Sequence, residues 1–251
     1  MAELRLKAAG FSHVGMKRKQ NQDNFVLVPE HRLFVVADGM GGHKGGETAS
    51  HLAVTTIANY FKTSGANPQN AKMPAAERLQ RAMRAANQAI QDRGKIDATL
   101  QGMGTTTVAM HFTSEKLFVG HVGDSRCYMM HPHRIWQLTR DHSLVQEKLR
   151  AGLITRAQLK TDRMKNVITR SVGFESEVDI DIYQLEPHPG DVFVVCSDGL
   201  SGMVDDHQIR DIVDEHIFQK DSLEGAVKKL IETANANGGD DNVTAVVVKV
   251  V

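Results

Sequence analysis

The sequence predicts an α+β layered sandwich, and three observations predict it. Strand-like runs arrive in adjacent hairpins, helical stretches arrive in pairs, and strands and helices do not alternate strictly along the chain. That grouping favours stacked layers over a doubly wound sheet, which needs a helix after every strand.

The elements follow in order. Arg32–Ala37 (RLFVVA) is a short apolar run of strand length. Glu47–Phe61 carries Leu52, Ala53, Ile57, Tyr60 and Phe61 at helical spacing. Residues 63–74 hold Ser64, Gly65, Asn67, Pro68, Asn70 and Pro74 and predict a surface loop. Leu79, Ala82, Met83, Ala86 and Ile90 repeat the helical spacing beyond it. Thr105–Phe112 and Lys116–Val122, joined by Thr-Ser-Glu, predict a hairpin. Cys127–Met130 and Ile135–Leu138 predict a second one around His131-Pro132-His133. Asp191–Cys196 is the next strand. Asp205-Asp206 can cap a helix bearing Ile209, Ile212, Val213 and Ile217. Another helix starts at Ser222, with Leu223, Ala226, Val227, Leu230, Ile231 and Ala234, and Asn237-Gly238-Gly239 stops it. Asn242–Val251 is the last strand.

The 251 residues fit one large domain, and a 41% hydrophobic share supports a substantial core. Lys+Arg and Asp+Glu number 30 each, so the chain lacks the basic excess of a nucleic-acid or membrane-surface binder. No apolar run reaches membrane-spanning length, and the first residues lack a signal-peptide core; a soluble cytoplasmic protein is the expectation. The 2 cysteines, Cys127 and Cys196, sit beside apolar runs and read as buried free thiols.

Four strand runs meet an aspartate at one end. Leu33–Ala37 leads into Asp38-Gly39, Leu117–Val122 into Gly123-Asp124, Val192–Cys196 into Ser197-Asp198, and Asp240-Asp241 opens the last strand. A single Asp-Gly is usually turn chemistry. The recurrence of an aspartate at the ends of four strong strands reverses that reading. Carboxylates converging from several strand ends repel one another, and divalent cations neutralise them. Carboxylate and carbonyl oxygens suit Mg²⁺, Mn²⁺ or Ca²⁺ rather than zinc or copper. The chain has 12 histidines but no HExxH, and His111 and His121 lie in strand runs as structural residues.

The ordered motifs resemble the PPM family, the type 2C metal-dependent protein phosphatases, in its bacterial single-domain form. They run from Gly15–Asn24 (GMKRKQNQDN) through Val36–His43 (VADGMGGH), Gly45–Ser50 (GGETAS) and Gly102–Thr106 (GMGTT). Val122–Arg126 (VGDSR), Thr139–Ser143 (TRDHS) and Asn166–Gly173 (NVITRSVG) follow, then Cys196–Leu200 (CSDGL) and Gly239–Asn242 (GDDN). The resemblance implies a four-layer α-β-β-α sandwich, with two central antiparallel sheets flanked by helices. It implies one catalytic domain over residues 5–251, with a flap at about 144–172.

It also implies roles. Asp38 bridges two ions, Mn²⁺ or Mg²⁺, and the Gly39 carbonyl binds one of them. Asp198 and Asp241 hold the other, and Asp23 acts through a water. Asp124, with Asp198, matches a weaker third-metal site. Arg18 holds the substrate phosphate, as a planar bidentate donor can. The implied activity is hydrolysis of phosphoserine and phosphothreonine by direct attack of a metal-activated water. The implied partners are phosphorylated proteins, a Ser/Thr kinase and its substrates, and the chain is expected to be a monomer.

Some positions depart from the family pattern. Met40 stands where many eukaryotic members have a histidine proposed as general acid, and His43 is three residues off, so the proton donor is unassigned. Gln22 replaces a frequent glutamate. Lys148, Arg150, Arg156, Lys160, Arg163 and Lys165 make the flap basic, which suits a phosphoprotein or a solvated helix face alike. Neither cysteine has an arginine after five intervening residues, Ser125 is in no GxSxG elbow, and no GxxxxGK[ST] occurs. The remaining competitor is a non-catalytic phosphoprotein-binding module on the same fold.

Overall fold

The computed structural model describes residues 4–64, 73–159 and 161–251. In chain order the strands are β1 (Leu6–His13), β2 (Asp23–Val28), β3 (Leu33–Met40), β4 (Gly104–Thr105), β5 (Thr107–Phe112) and β6 (Leu117–Val122). Then come β7 (Arg126–His131), β8 (Arg134–Gln137), β9 (Asp181–Leu185), β10 (Val192–Cys196) and β11 (Val243–Val250). The helices are α1 (Gly42–Ser64), α2 (Ala75–Ile96), α3 (Leu144–Arg150), α4 (Asp198–Ser201), α5 (Asp206–Val213) and α6 (Leu223–Ala236).

Every named strand pairing is antiparallel. One sheet runs β1-β11-β10-β7-β8, and the other runs β2-β3-β5-β6-β9 with β4 added to β3. The two-residue period of a strand sorts the side chains into layers. Phe34 and Val36 face Phe193, Val195, Val246 and Val248 between the sheets. Leu33, Val35 and Ala37 face outward into α1 and α2, against Ala53, Ile57, Leu79 and Met83. Val192, Val194 and Cys196 face the other way into α5 and α6, against Ile209, Val213, Val227 and Leu230. The result is the expected helix–sheet–sheet–helix stack.

The central strands are apolar on both faces, so their sequences are continuous runs without polar alternation. Both cysteines are buried and free. They lie on opposite faces of one sheet, Cys127 between the sheets and Cys196 under α5 and α6. Asp205 caps α5 in a capping box with Gln208, and the Ser222 hydroxyl accepts the Gly225 N–H at the start of α6.

Several boundaries differ from the sequence reading. The predicted strand 105–112 is broken at Thr106, because the Thr106 N–H turns to the Asp38 carbonyl (2.8 Å) while Thr105 pairs with Gly39 and with Val172. β3 continues through Asp38 to Met40, and α1 starts at Gly42, five residues before Glu47. The strands β1, β2 and β9 were not foreseen. Most of the predicted loop at 63–74, and Lys160, lie outside the described residues. Among the described residues no helix is long and apolar enough to cross a membrane.

Candidate active site

The strand ends do converge. Asp38 lies opposite Asp23 in the β2–β3 ladder. Asp124 follows β6 after Gly123, Asp198 opens α4 after β10 and Ser197, and Asp241 precedes β11 with Asn242 between them. The two sheets therefore each deliver carboxylates to one place. Close backbone approach makes the place small. A Cβ on Gly39 would stand 2.0 Å from the Gly46 carbonyl oxygen, and one on Gly199 would stand 1.9 Å from that of Asn242. Glycine alone fits such contacts.

The shared space has an electrostatic consequence for the carboxyls. Burial, followed by the charges of Asp23, Asp198 and Asp124, pushes the Asp38 carboxyl well above the usual range. Burial and the charge of Asp241 raise Asp198. Burial raises Asp124 to about 8, with Asp198 as the next cause, and raises Asp23 to about 7. Asp38, Asp124, Asp198 and Asp241 are part-exposed and line a surface, whereas Asp23 is buried beneath them at 4% exposure. Asp240 is exposed, in keeping with a turn neighbour of Asp241.

Arg18 closes the cluster. Its Nη2 donates to Asp241 Oδ2 at 2.6 Å, and that hydrogen bond is the main cause of its raised pKa. The loop carrying Arg18 is fastened to the start of β11. Met16 and Lys17 N–H groups donate to the Gly239 carbonyl (2.7 and 3.3 Å). Asn242 Nδ2 donates to the carbonyls of Val14 (2.9 Å) and Gln20 (2.8 Å), and its Oδ1 accepts the Gln22 N–H (2.7 Å). Asn242 lies in the GDDN motif, and no local pattern there marks this fastening role.

The donor set fits divalent cations. Asp23 Oδ1 and Asp124 Oδ1 are buried with no hydrogen-bond partner among the described residues. Anionic oxygens in that state are costly unless a cation completes them. The donors are all hard oxygens, which selects Mg²⁺ or Mn²⁺ over softer metals. His43, three residues from Met40, has its side chain outside the described residues.

A second cluster looks like a metal site and is not built as one. His121, His142 and Asp181 lie together, with potential ligand atoms within 4.8 Å. His142 Nδ1 accepts the Gly123 N–H at 3.1 Å, so its proton is on Nε2, which donates to Asp181 Oδ2 at 3.2 Å. A ligating imidazole would need the opposite arrangement, with a donor facing Gly123 N–H. His142 also holds the other side of the same turn, its N–H donating to the Gly123 carbonyl at 2.7 Å. The cluster therefore braces the turn before Asp124. Arg126 adds to the brace through a forked pair with buried Asp141 (Nη2 to Oδ2 2.7 Å).

In the segment 144–172, Lys148 is paired with Asp162 at 3.0 Å, and Arg170 with Asp179 and Asp181, each at 3.2 Å. Those two cations are thus engaged within the chain.

Residues 9–246 match the family model described as Protein phosphatase 2C. The chain belongs to the protein phosphatase 2C family. Among its relatives, the serine/threonine phosphatase Stp of Listeria monocytogenes is 34% identical over 241 residues, 94% of this chain and 92% of that one. The solved serine/threonine phosphatase PstP/Ppp of Mycobacterium tuberculosis superposes with a TM-score of 0.87 at 33% identity, covering 97% of this chain and 98% of that one. A catalytic domain of PstP solved in complex with 2 manganese ions gives a TM-score of 0.85 at 34% identity, covering 99% of both chains. The family and the fold expected for a protein phosphatase 2C from the ordered motifs are both borne out.

Proposed function

We propose that this protein phosphatase 2C chain hydrolyses phosphoserine and phosphothreonine esters on proteins with the help of two divalent cations, Mn²⁺ or Mg²⁺. The observation that carries the proposal is the meeting of Asp38, Asp198 and Asp241 from two sheets beside Arg18. Asp38, the Gly39 carbonyl, Asp198 and Asp241 would hold the two ions. Asp124, with Asp198, would hold a weaker third, and Asp23 would act one water removed. When bound, such cations neutralise charge on phosphoryl oxygens and acidify water for attack at neutral pH.

The remaining work falls to the chain. Arg18 presents a planar fork to the phosphate and keeps it over the carboxylates. The acidic floor repels a phosphate dianion until it is neutralised, so substrate binding and cation binding are coupled. A covalent cysteine route is closed, because Cys127 and Cys196 are fully buried and burial pushes both thiols up, Cys196 to about 12. Direct attack by water, without a phosphoenzyme, fits that geometry.

The partners would be phosphorylated Ser/Thr proteins, among them a Ser/Thr kinase and its substrates, in a cytoplasmic signalling pathway. The chain would act as a monomer with residues 144–172 as a flap, whose Arg150 and Arg156, without an ion pair among the described residues, suit an anionic substrate. Mn²⁺-dependent hydrolysis of p-nitrophenyl phosphate and of a phosphothreonine peptide, abolished by EDTA, is the expected result. No turnover under those conditions would overturn the enzyme reading and leave a phosphoprotein-binding module.

A further inference from the structure

Asp23 is sealed beneath the acidic cluster, and the way it is held has a direction. Asp23 starts β2 in the six-stranded sheet. Its Oδ2 accepts from Ser197 Oγ at 2.7 Å and from Thr244 Oγ1 at 2.7 Å, and both hydroxyls belong to the opposite sheet or its edge. Ser197 Oγ already accepts the Thr244 N–H at 3.0 Å, so its proton is free for Asp23. Thr244 Oγ1 has one proton, which goes to Asp23. Ser12 Oγ, 2.7 Å from Thr244 Oγ1, must therefore donate to it, and Asn21 Nδ2 donates in turn to Ser12 Oγ at 2.8 Å.

The chain of donors thus runs from Asn21 to Ser12 to Thr244 and ends on Oδ2, where Ser197 adds a second donor. Oδ1 is buried with no hydroxyl or amide donor among the described residues, and the neighbouring carboxyl is that of Asp38. Asp23 and Asp38 are direct cross-strand partners, so the unoccupied oxygen belongs to the carboxyl next to Asp38. Two donors on one oxygen fix the carboxyl rotamer and leave the other oxygen as the free acceptor.

We propose that Ser197 and Thr244 are positioning residues: by occupying Asp23 Oδ2 they keep Oδ1 available to the divalent-cation site above it. The proposal rests on the metal-centre reading and extends it to two hydroxyls that bear no ligand role themselves. Outer partners that orient a metal site are worth about 10- to 100-fold in affinity when removed.

The test is calorimetric titration of EDTA-stripped protein with MnCl₂, alongside thermal melting in EDTA. Thr244→Val keeps the shape and removes the hydroxyl, and it should weaken Mn²⁺ binding about tenfold or more. Ser197→Ala, a smaller change, should weaken it in the same direction. Thr244→Ser keeps the donor and should restore wild-type affinity. A purely structural clip between the sheets predicts a lower melting temperature in EDTA with unchanged Mn²⁺ affinity in Thr244→Val and Ser197→Ala. That outcome would overturn the proposal. Asp38→Asn separates the two levels. If wild type binds no Mn²⁺, or Asp38→Asn binds it as wild type does, the metal-centre reading itself falls. If Asp38→Asn loses binding while both hydroxyl variants keep it, only the positioning role falls.

Discussion

Arg18 and Asp241 lie 223 positions apart in sequence and 2.6 Å apart in space, the guanidinium donating to Oδ2 at the edge of the acidic cluster. Both side chains are substantially exposed, 54% and 38%. An ion pair in that setting contributes less than about 1 kcal/mol to folding. Arg18→Ala is therefore expected to leave urea stability nearly unchanged. It should raise the KM for a phosphopeptide about tenfold, the size of a lost charged hydrogen bond, with a smaller change in kcat. Because Asp241 also loses a competing partner, Mn²⁺ affinity should hold or rise. A large stability loss with normal KM would remove Arg18 from substrate binding.

The acidic cluster predicts an inverted response to mutation. Asp38 is raised by burial and by three neighbouring carboxylates, so its charge opposes folding of the cation-free protein. Asp38→Asn should melt higher than wild type in EDTA and show no Mn²⁺-dependent turnover. Saturating Mn²⁺ should raise the wild-type melting point, since ligand at about 100-fold over Kd adds about 2.7 kcal/mol. The same addition should leave Asp38→Asn nearly unmoved. Equal shifts in both proteins, read by differential scanning fluorimetry, would exclude Asp38 as a ligand.

Gly39→Ala tests the close approach under the cluster. The added Cβ would meet the Gly46 carbonyl oxygen at 2.0 Å and that of Gln22 at 2.8 Å, both backbone atoms that cannot rotate away. Overpacking of this kind costs about 3 kcal/mol. Since β3 must move, Mn²⁺ affinity should fall with stability. Wild-type values for both would show that the strand end has more freedom than the packing implies.

Legibility follows burial for most strands of this chain, while the exposed edge strand β8 is legible as the second arm of the hairpin around His131-Pro132-His133. β3, β6, β10 and β11 lie between neighbours in their sheets and are covered on both faces, so their apolar runs are plain in the sequence. β1, β2 and β9 are edge strands with half-buried residues, and LKAAGFSH or DIYQL carries neither a clean alternation nor a continuous apolar run. The same difference governs the site. Asp38, Asp124, Asp198 and Asp241 adjoin legible strands and were found as strand-end acids. Asp23 opens an illegible strand and was reached through the family resemblance. Ser197, Thr244 and Asn242 act through contacts across 174 to 228 positions, and no local pattern marks such pairings.

Two buried histidines, His111 and His121, are expected to contribute to the loss of stability in acid. Burial lowers His111 and His121 from the ordinary value to about 4. In the unfolded chain they take up protons near 6.5, so the folded state gains from them above that pH. The contribution is lost as pH falls from about 6.5 toward 4, where the folded state also protonates. Each shift of this size corresponds to about 3 kcal/mol at most. His111→Phe should therefore flatten the decline in urea midpoint between pH 6.5 and 4.5, relative to wild type. An unchanged slope would show that His111 is already solvated or paired.

Asn242 is expected to couple stability to substrate binding, in contrast to Arg18. Its side chain is 4% exposed and uses three hydrogen bonds to fasten the segment from Val14 to Gln22. Asn242→Ala strands one amide donor and two carbonyls, at about 1 kcal/mol or more each, so a loss of about 3 kcal/mol is expected. Asn242→Asp keeps the acceptor for Gln22 N–H but sets a carboxylate against the carbonyls of Val14 and Gln20, and should cost as much. Arg18 rides on the fastened segment, so both variants should also raise KM for a phosphopeptide. Adding Arg18→Ala to Asn242→Ala should then raise KM little further, while the stability losses add. Independent effects on KM would show that Arg18 finds the phosphate without this anchor.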